Sequence, residues 1–218
     1  MHVLRILVAD DHEVVRQGVR ILLQTQAGWE VCGEAATGRE AVAKTEKLKP
    51  DIVILDIAMP EMNGVEAARR IRKARPETRI LVLTIHESED LVRELLEAGV
   101  SGYLLKTDAG RDLIAAVEAL NEGKPFFTSK VARMVLDAYL SSTAPTGVGE
   151  TPWSQLKGRE REIVQLVAEG KSSKEIAAAL NLSVQTVTTH RANIMRKLGL
   201  HSTSELIRYA VRNKITMP

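Results

Sequence analysis

Cysteine is almost absent from this sequence. Cys32 is the single one in 218 residues, so no internal disulfide can form, and in the strand-like stretch WEVCGEAA it reads as a small core residue in a reducing compartment. Long apolar runs are absent too. No stretch approaches the ~18 uninterrupted apolar residues that a membrane span needs, and the opening MHVLRILVADD meets two aspartates after a short apolar run, which fits neither a span nor a signal peptide. These absences predict a cytoplasmic protein with no membrane partner. Net charge is small as well, +2, and taken alone it points to no partner.

What is present is a soluble, core-forming balance of 44% apolar and 27% charged residues, enough chain for one large domain or two small ones. The charge is unevenly placed. Residues 151–218 hold 11 Lys and Arg against 5 Asp and Glu, net +6, which leaves 19 against 23, net −4, in the 150 residues before them. An acidic first part and a basic last part suggest separate tasks, with a polyanion as the natural partner of the second. Between them, SSTAPTGVGETP at residues 141–152 has the Ser, Thr, Gly and Pro content of a flexible linker. Just ahead of it, Val131, Met134, Val135 and Ala138 recur at helical spacing and predict a helix leading out of the first domain. The predicted organisation is a first domain over residues 1–122, a linker helix and flexible linker over 123–152, and a second domain over 153–218.

The first domain alternates strand and helix patterns. VLRILVAD, EVCGEAA, DIVILD, RILVLT and SGYLLK read as strands, and the segments between them carry apolar residues at helical spacing. That is a (βα)5 run, which forms a doubly wound parallel sheet covered on both faces, so a central strand such as residues 51–55 can be apolar throughout. In such sheets the functional crevice lies at the carboxyl ends of the strands, where the strand order reverses. Asp10 and Asp11 end the first strand, Asp56 the third, Thr84 the fourth and Lys106 the fifth. Three crowded carboxylates call for a hard divalent cation with oxygen ligands, Mg²⁺ above all. Thr84 can donate a hydrogen bond to a phosphoryl oxygen, and the Lys106 ammonium can neutralise another. Asp56 is then the nucleophile of an acyl phosphate.

The acidic pair after strand one, Asp56 followed by IAMPEMNG, Thr84 and Lys106 together resemble the receiver domain of bacterial two-component response regulators, over about the first 120 residues. The resemblance implies that a sensor histidine kinase phosphorylates Asp56. It also implies that Asp10, Asp11, Asp56 and the backbone carbonyl of Ala58 hold Mg²⁺, and that Thr84 moves toward the phosphate while the ring of Tyr103 follows it inward. Kinase choice is assigned to the first receiver helix, at Val15, Gly18 and Val19. Two departures stand out. Thr107 follows Lys106 where many receivers have a proline in a cis bond, and Ile85 follows Thr84 where a small residue is common. Ile85 is expected to shield the acyl phosphate from water.

The second domain is helical throughout. GREREIVQLVAEG places Ile163, Leu166 and Val167 on one face, Ser172 and Glu175 stand in capping-box spacing, LNLS makes a turn, and Ser183 can cap a longer helix. A short helix, a tight turn and a longer helix make a helix-turn-helix. On the longer helix Val187, Ile194 and Leu198 point one way. Gln185, Thr188, Thr189, Ala192, Asn193 and Arg196 point the other, with Arg191 and Lys197 flanking, an acid-free face suited to a DNA major groove. This stretch resembles the LuxR-type four-helix DNA-binding domain, and its pairing with a receiver resembles the NarL/FixJ family of response regulators. Lys157 and Gly158 stand where that family often has Thr-Pro, so the first helix is expected to lack its usual cap. The last helix starts at Ser202, and its resemblance assigns Leu206, Ile207, Ala210 and Val211 to a homodimer contact.

Together these features predict an α/β domain plus an all-α domain in a phosphorylation-switched transcription regulator. It is not an enzyme beyond self-phosphorylation and slow autodephosphorylation. The implied partners are a histidine kinase, double-stranded promoter DNA, a second copy of the chain and RNA polymerase. Two alternatives are a DNA-binding regulator with an unphosphorylated receiver, and an aspartyl-phosphate phosphatase or phosphotransferase. The latter needs an acid two residues after Asp56, where this chain has Ala58.

Overall fold

A computed structural model describes residues 3–86, 88–129, 131–133 and 156–212, and no helix among them is long and apolar enough to cross a membrane. The chain forms two compact units. The first is built on strands β1 (Leu4–Ala9), β2 (Trp29–Ala35), β3 (Ile52–Leu55), β4 (Arg79–Thr84), β5 (Gly102–Leu105) and β6 (Phe126–Phe127). They alternate with helices α1 (Glu13–Gln24), α2 (Gly38–Leu48), α3 (Gly64–Ala74), α4 (Glu89–Glu97) and α5 (Ala109–Asn121). The sheet order is β2-β1-β3-β4-β5-β6 and every pairing is parallel. The order reverses between β1 and β3, so a crevice opens at their carboxyl ends.

Burial on both faces explains the composition of the strands. Ile52, Val53, Ile54 and Leu55 are each at most 1% exposed. Ile6 and Val8 of β1 belong to the cluster that packs under α1 and α5, while Leu7 and Ala9, pointing to the other face, are equally buried. At about 25 cal/mol per Å² of apolar area removed from water, such strands supply much of the folding free energy. The sixth strand was not expected. Phe126 and Phe127 pair with Gly102 and Tyr103 and extend the sheet past residue 122. The helix expected over Val131 to Ala138 is helical at residues 129 and 131–133; its remainder and the linker at 141–152 lie outside the described residues.

The second unit contains α6 (Gly158–Ala168), α7 (Ser173–Leu180), α8 (Val184–Leu198) and α9 (Thr203–Arg212). The Ser172–Glu175 capping box is formed in both directions: Glu175 N–H donates to Ser172 Oγ at 3.3 Å, and Ser172 N–H to Glu175 Oε2 at 2.8 Å. Asn181 ends α7 in the left-handed region at φ 51°, the conformation Asn tolerates best after Gly. Ser183 then caps α8 by accepting from Thr186 N–H at 3.0 Å. The tight turn between α7 and α8 is therefore fixed by local chemistry on both sides.

The start of α6 differs from expectation. Lys157 offers no side-chain acceptor, but its backbone N–H donates to Glu160 Oε2 at 2.8 Å, so half of a capping box holds the helix where a loose end was anticipated. Nor does α6 bury a single face. Glu160, Glu162 and Gln165 are buried alongside Ile163, Val164, Leu166 and Val167, because α7, α8 and α9 all pack against it.

Candidate functional site

Backbone hydrogen bonds beyond the strands carry the polar groups into the crevice at fixed positions. Asp56 N–H donates to Ala9 O at 2.8 Å, Asp10 N–H to Ala35 O at 3.0 Å, and Lys106 N–H to Thr84 O at 2.9 Å. Each side chain at a strand end thus inherits the rigidity of the sheet. Asp10, Asp56 and Thr84 are all at most 3% exposed. Lys106 Nζ stands between the first two, 2.7 Å from Asp10 Oδ2 and 2.9 Å from Asp56 Oδ2.

The charge states follow from that crowding. Burial pushes the Asp56 carboxyl above its ordinary value, and Asp10 adds to this, against the opposing pull of Lys106 and of the Ile57 N–H. Burial works against the charged Lys106, but hydrogen bonds and charge from Asp10 and Asp56 outweigh it and hold the ammonium above its ordinary value. The ion pair is the arrangement we favour at neutral pH, since the distances leave the ammonium in contact with both acids. Asp10 Oδ2 is buried and meets the Lys106 ammonium at 2.7 Å. Ligand atoms of Asp10, Asp11, His12 and Asp56 all lie within 4.8 Å of one another, a donor set that suits a divalent cation.

A close backbone approach shapes the loop beside Asp56. Gly64, the first residue of α3, donates its N–H to Ile57 O at 2.8 Å, and a Cβ built on it would lie 2.1 Å from the Asp56 carbonyl oxygen. Asn63 caps α3, its side chain accepting from Glu66 N–H at 2.9 Å. The stretch between Asp56 and α3, which includes the half-buried Ala58, is therefore clamped from both ends.

Thr84 and Tyr103 are linked through one residue. His86 N–H donates to Thr84 Oγ1 at 3.2 Å, and the Tyr103 hydroxyl donates to the His86 carbonyl. The Tyr103 ring is turned inward, 1% exposed. Ile85, beside them, is 59% exposed. No cis peptide bond occurs among the described residues, Lys106–Thr107 included.

Sequence reasoning missed two residues at the crevice. His12 Nδ1 lies 2.8 Å from Asp11 Oδ1 and 3.3 Å from Asp10 Oδ1; its place directly after two acids was the available signal. Arg16 Nη1 donates to the Asp10 carbonyl at 2.7 Å, and its Nε pairs with Glu34 at 3.3 Å, a contact no local pattern announces. One surface assignment is corrected. Val19 is 3% exposed and belongs to the core under α1, whereas Val14, at 81%, and Ile21, at 61%, are the exposed apolar residues of that helix.

In the second unit Val187 and Ile194 are buried, and Gln185, Thr188, Thr189, Ala192 and Arg196 are exposed, with Asn193 half-buried. Two flanking cations are already engaged. Arg191 donates to Ser173 Oγ at 2.9 Å and to Thr203 Oγ1 at 3.0 Å, stitching α8 to its neighbours. Lys197 Nζ binds Glu160 at 2.7 and 2.9 Å, so it is an internal ion pair and not a bare cation. The contact face assigned to α9 also needs correction. Leu206 is 1% exposed and Ala210 is fully buried in the unit's own core, with Ile207 packed against it, because this helix covers α6; Val211 is half-buried.

Residues 6–118 match the response regulator receiver domain family, and residues 154–210 match the luxR family of bacterial regulatory proteins. The transcriptional regulatory protein LiaR of Bacillus subtilis is 39% identical over 212 residues, spanning 97% of this chain and 99% of LiaR. The oxygen regulatory protein NreC of Staphylococcus aureus is 37% identical over 214 residues, spanning 97% and 99%. Among solved structures, the response regulator RcsB of Salmonella typhimurium aligns over 100% of both chains with a TM-score of 0.64 at 27% identity. A structure of two RcsB dimers bound to two parallel DNAs aligns over 94% of this chain and 96% of that one, with a TM-score of 0.57 at 29% identity.

Proposed function

Because this chain belongs to the response regulators that join a receiver domain to a LuxR-type DNA-binding domain, it is a DNA-binding transcriptional regulator, and we propose that a phosphoryl group on Asp56 is its switch. The observation that carries the proposal is the Lys106 ammonium held between the buried carboxylates of Asp10 and Asp56. Such a site is built to neutralise charge around a reacting carboxylate.

Receiver functions are assigned to residues 1–122 and DNA binding to residues 153–218, with 123–152 joining them. The phosphoryl donor is a sensor histidine kinase. Asp10, Asp11, Asp56 and the Ala58 carbonyl are the ligands for Mg²⁺, which when bound neutralises charge on the carboxylates and on the phosphoryl oxygens. Asp56 Oδ forms the bond to phosphorus as the donor's own bond to it breaks. Lys106 exchanges its carboxylate contact for a phosphoryl oxygen. Thr84 turns its hydroxyl from accepting the His86 N–H to donating toward a second oxygen, and Tyr103 keeps its ring inward behind it. Beyond this transfer and slow autodephosphorylation, no turnover is assigned.

In the cytoplasm of a bacterium, phosphorylation shifts the population toward a dimer that binds promoter DNA and engages RNA polymerase. The exposed face of α8 supplies the base contacts, from Gln185, Thr188, Thr189, Ala192, Asn193 and Arg196. Arg191 and Lys197 orient that helix and reach phosphates from its flanks. With Leu206 and Ala210 inside the core, Ile207 and Val211 form the remaining apolar part of the α9 contact between two copies.

The test is incubation with Mg²⁺ and acetyl phosphate, followed by mass measurement and titration with promoter DNA. The expected result is one base-labile phosphoryl group on wild type, none on Asp56→Asn, and tighter DNA binding only in the modified protein. An unmodified wild type that still binds DNA would leave the receiver without a phosphoryl role, and rapid multiple turnover on phosphoesters would make the protein an enzyme.

A further inference from the structure

The crevice holds an imidazole beside its carboxylates. The His12 backbone N–H donates to Asp10 Oδ1 at 2.9 Å, which anchors the residue over that carboxylate and brings its Nδ1 to 3.3 Å from Asp10 Oδ1 and 2.8 Å from Asp11 Oδ1. Neighbouring ligands of an octahedral ion with bonds of about 2.1 Å stand roughly 3.0 Å apart, and opposite ones roughly 4.2 Å. Both His12 distances fall beside the first figure, and the 4.8 Å spread of the whole group leaves little excess over the second. The third acid, Asp56, and the buried Asp10 Oδ2, 2.7 Å from Lys106 Nζ, complete a mixed nitrogen and oxygen set on the sheet side. The His12 side chain is 64% exposed, so the outer positions of an ion there would keep their waters, as octahedral ions do.

We propose that His12 is itself a ligand of the divalent ion in this crevice, and that it gives the site a preference for later first-row ions that favour imidazole, Co²⁺ above all, over Mg²⁺. The inference rests on the reading that the crevice binds a divalent ion at all. An all-oxygen set favours hard Mg²⁺, whereas replacing one oxygen by neutral imidazole raises affinity along the first-row series and adds nothing for Mg²⁺. The neutral imidazole is the binding form, with the Nδ1 lone pair directed at the ion in place of the proton that otherwise bridges to Asp11.

The test uses the full-length protein at about pH 8. Mn²⁺-loaded wild type and His12→Ala are compared by pulsed electron paramagnetic resonance, which detects a directly bound ¹⁴N. The affinities of Mg²⁺, Mn²⁺ and Co²⁺ are measured by calorimetry on both proteins. The expected result is a nitrogen coupling in wild type that disappears in the variant. Co²⁺ binding should weaken ~10-fold or more, Mn²⁺ binding by less, and Mg²⁺ binding should stay within about twofold, since it gains nothing from the imidazole. Mn²⁺ bound without nitrogen coupling, or equal weakening for all three ions, overturns the role of His12 while leaving the Mg²⁺ site in place. Binding of no divalent ion by wild type overturns both.

Discussion

Replacing Gly64 with alanine should damage the receiver site without touching any of its reactive groups. The added Cβ would sit 2.1 Å from the Asp56 carbonyl oxygen and 2.8 Å from Ile57 Cα, whereas a carbon and a carbonyl oxygen ordinarily approach no closer than about 3.3 Å. Both obstacles are backbone, so no side chain can rotate away, and a shift of roughly 1.2 Å must be taken up by the segment that carries Asp56. Overpacking of this kind costs about 1–3 kcal/mol, and a backbone clash belongs at the upper end. Gly64 is not among the positive-φ glycines, so alanine would otherwise be the better residue in a helix, by roughly 0.5–1 kcal/mol. The sign of the effect is therefore diagnostic. Gly18, inside α1, is the matched control, because a Cβ added there would meet nothing within 4 Å: Gly18→Ala should stabilise by about that same 0.5–1 kcal/mol. Urea denaturation followed by circular dichroism gives the stabilities, and the rate of labelling by acetyl phosphate reports the position of Asp56. Displacement by ~1 Å should slow that labelling about 100-fold. A Gly64→Ala protein as stable as wild type, labelled within twofold of its rate, would refute the close approach.

Asp56→Asn should raise stability at neutral pH. Burial favours the neutral carboxyl, so the folded protein holds this proton more tightly than the unfolded chain does, and stability falls as pH climbs from the ordinary value of 3.8 through the raised one. Asparagine removes that cost; the two thermal midpoints should converge below the ordinary value, and an Asn variant less stable at neutral pH contradicts the argument. Glu160→Gln should act in the opposite sense on the second unit. Burial opposes the Glu160 charge, but Lys197 and the Lys157 N–H outweigh it and hold the carboxyl below its ordinary 4.5. Its contribution is therefore present above that value and lost as pH falls through the folded one. With Lys197 partly solvated, the loss is about 1–2 kcal/mol, read as a lower unfolding midpoint for α6–α9 at neutral pH and none in acid. Ile85→Ala should shorten the life of the acyl phosphate by admitting water beside Thr84; a half-life unchanged or longer removes the shielding role.

The fold was legible where burial has a periodic or continuous signature. Strands buried on both faces read as apolar runs, so Ile52–Leu55 announced both its place in the sheet and the carboxylate at its end. The Ser172–Glu175 box and the Asn181–Ser183 turn were legible for a different reason: their hydrogen bonds close within four residues, so the chemistry is local. Illegible features are those whose partner lies far along the chain. Glu160 needs Lys197, Arg16 needs Glu34, and Gly64 is required by the backbone at Asp56; none of these has a spacing to detect. The strand Phe126–Phe127 is too short to show any period, and the helical spacing just after it pointed the other way. On α9 the apolar arc is plain in the sequence, but arc width alone does not say how much of it the unit's own core takes, and Leu206 and Ala210 went to α6.

The linkage around His86 constrains how the proposed switch can move. Thr84 Oγ1 accepts the His86 N–H, and the Tyr103 hydroxyl is bonded to the His86 carbonyl, so both side chains grip one peptide segment at the exit of β4. The Tyr103 ring is buried, and Lys106 contacts both Asp10 and Asp56. What must change is the hydrogen bond at Thr84. Turning that hydroxyl toward a phosphoryl oxygen releases the His86 N–H, a group that needs a new partner if it is to stay buried. In the proposed switch, the charge added at Asp56, about −1.5 to −2, would be answered locally by Lys106, which already lies 2.9 Å from Asp56 Oδ2.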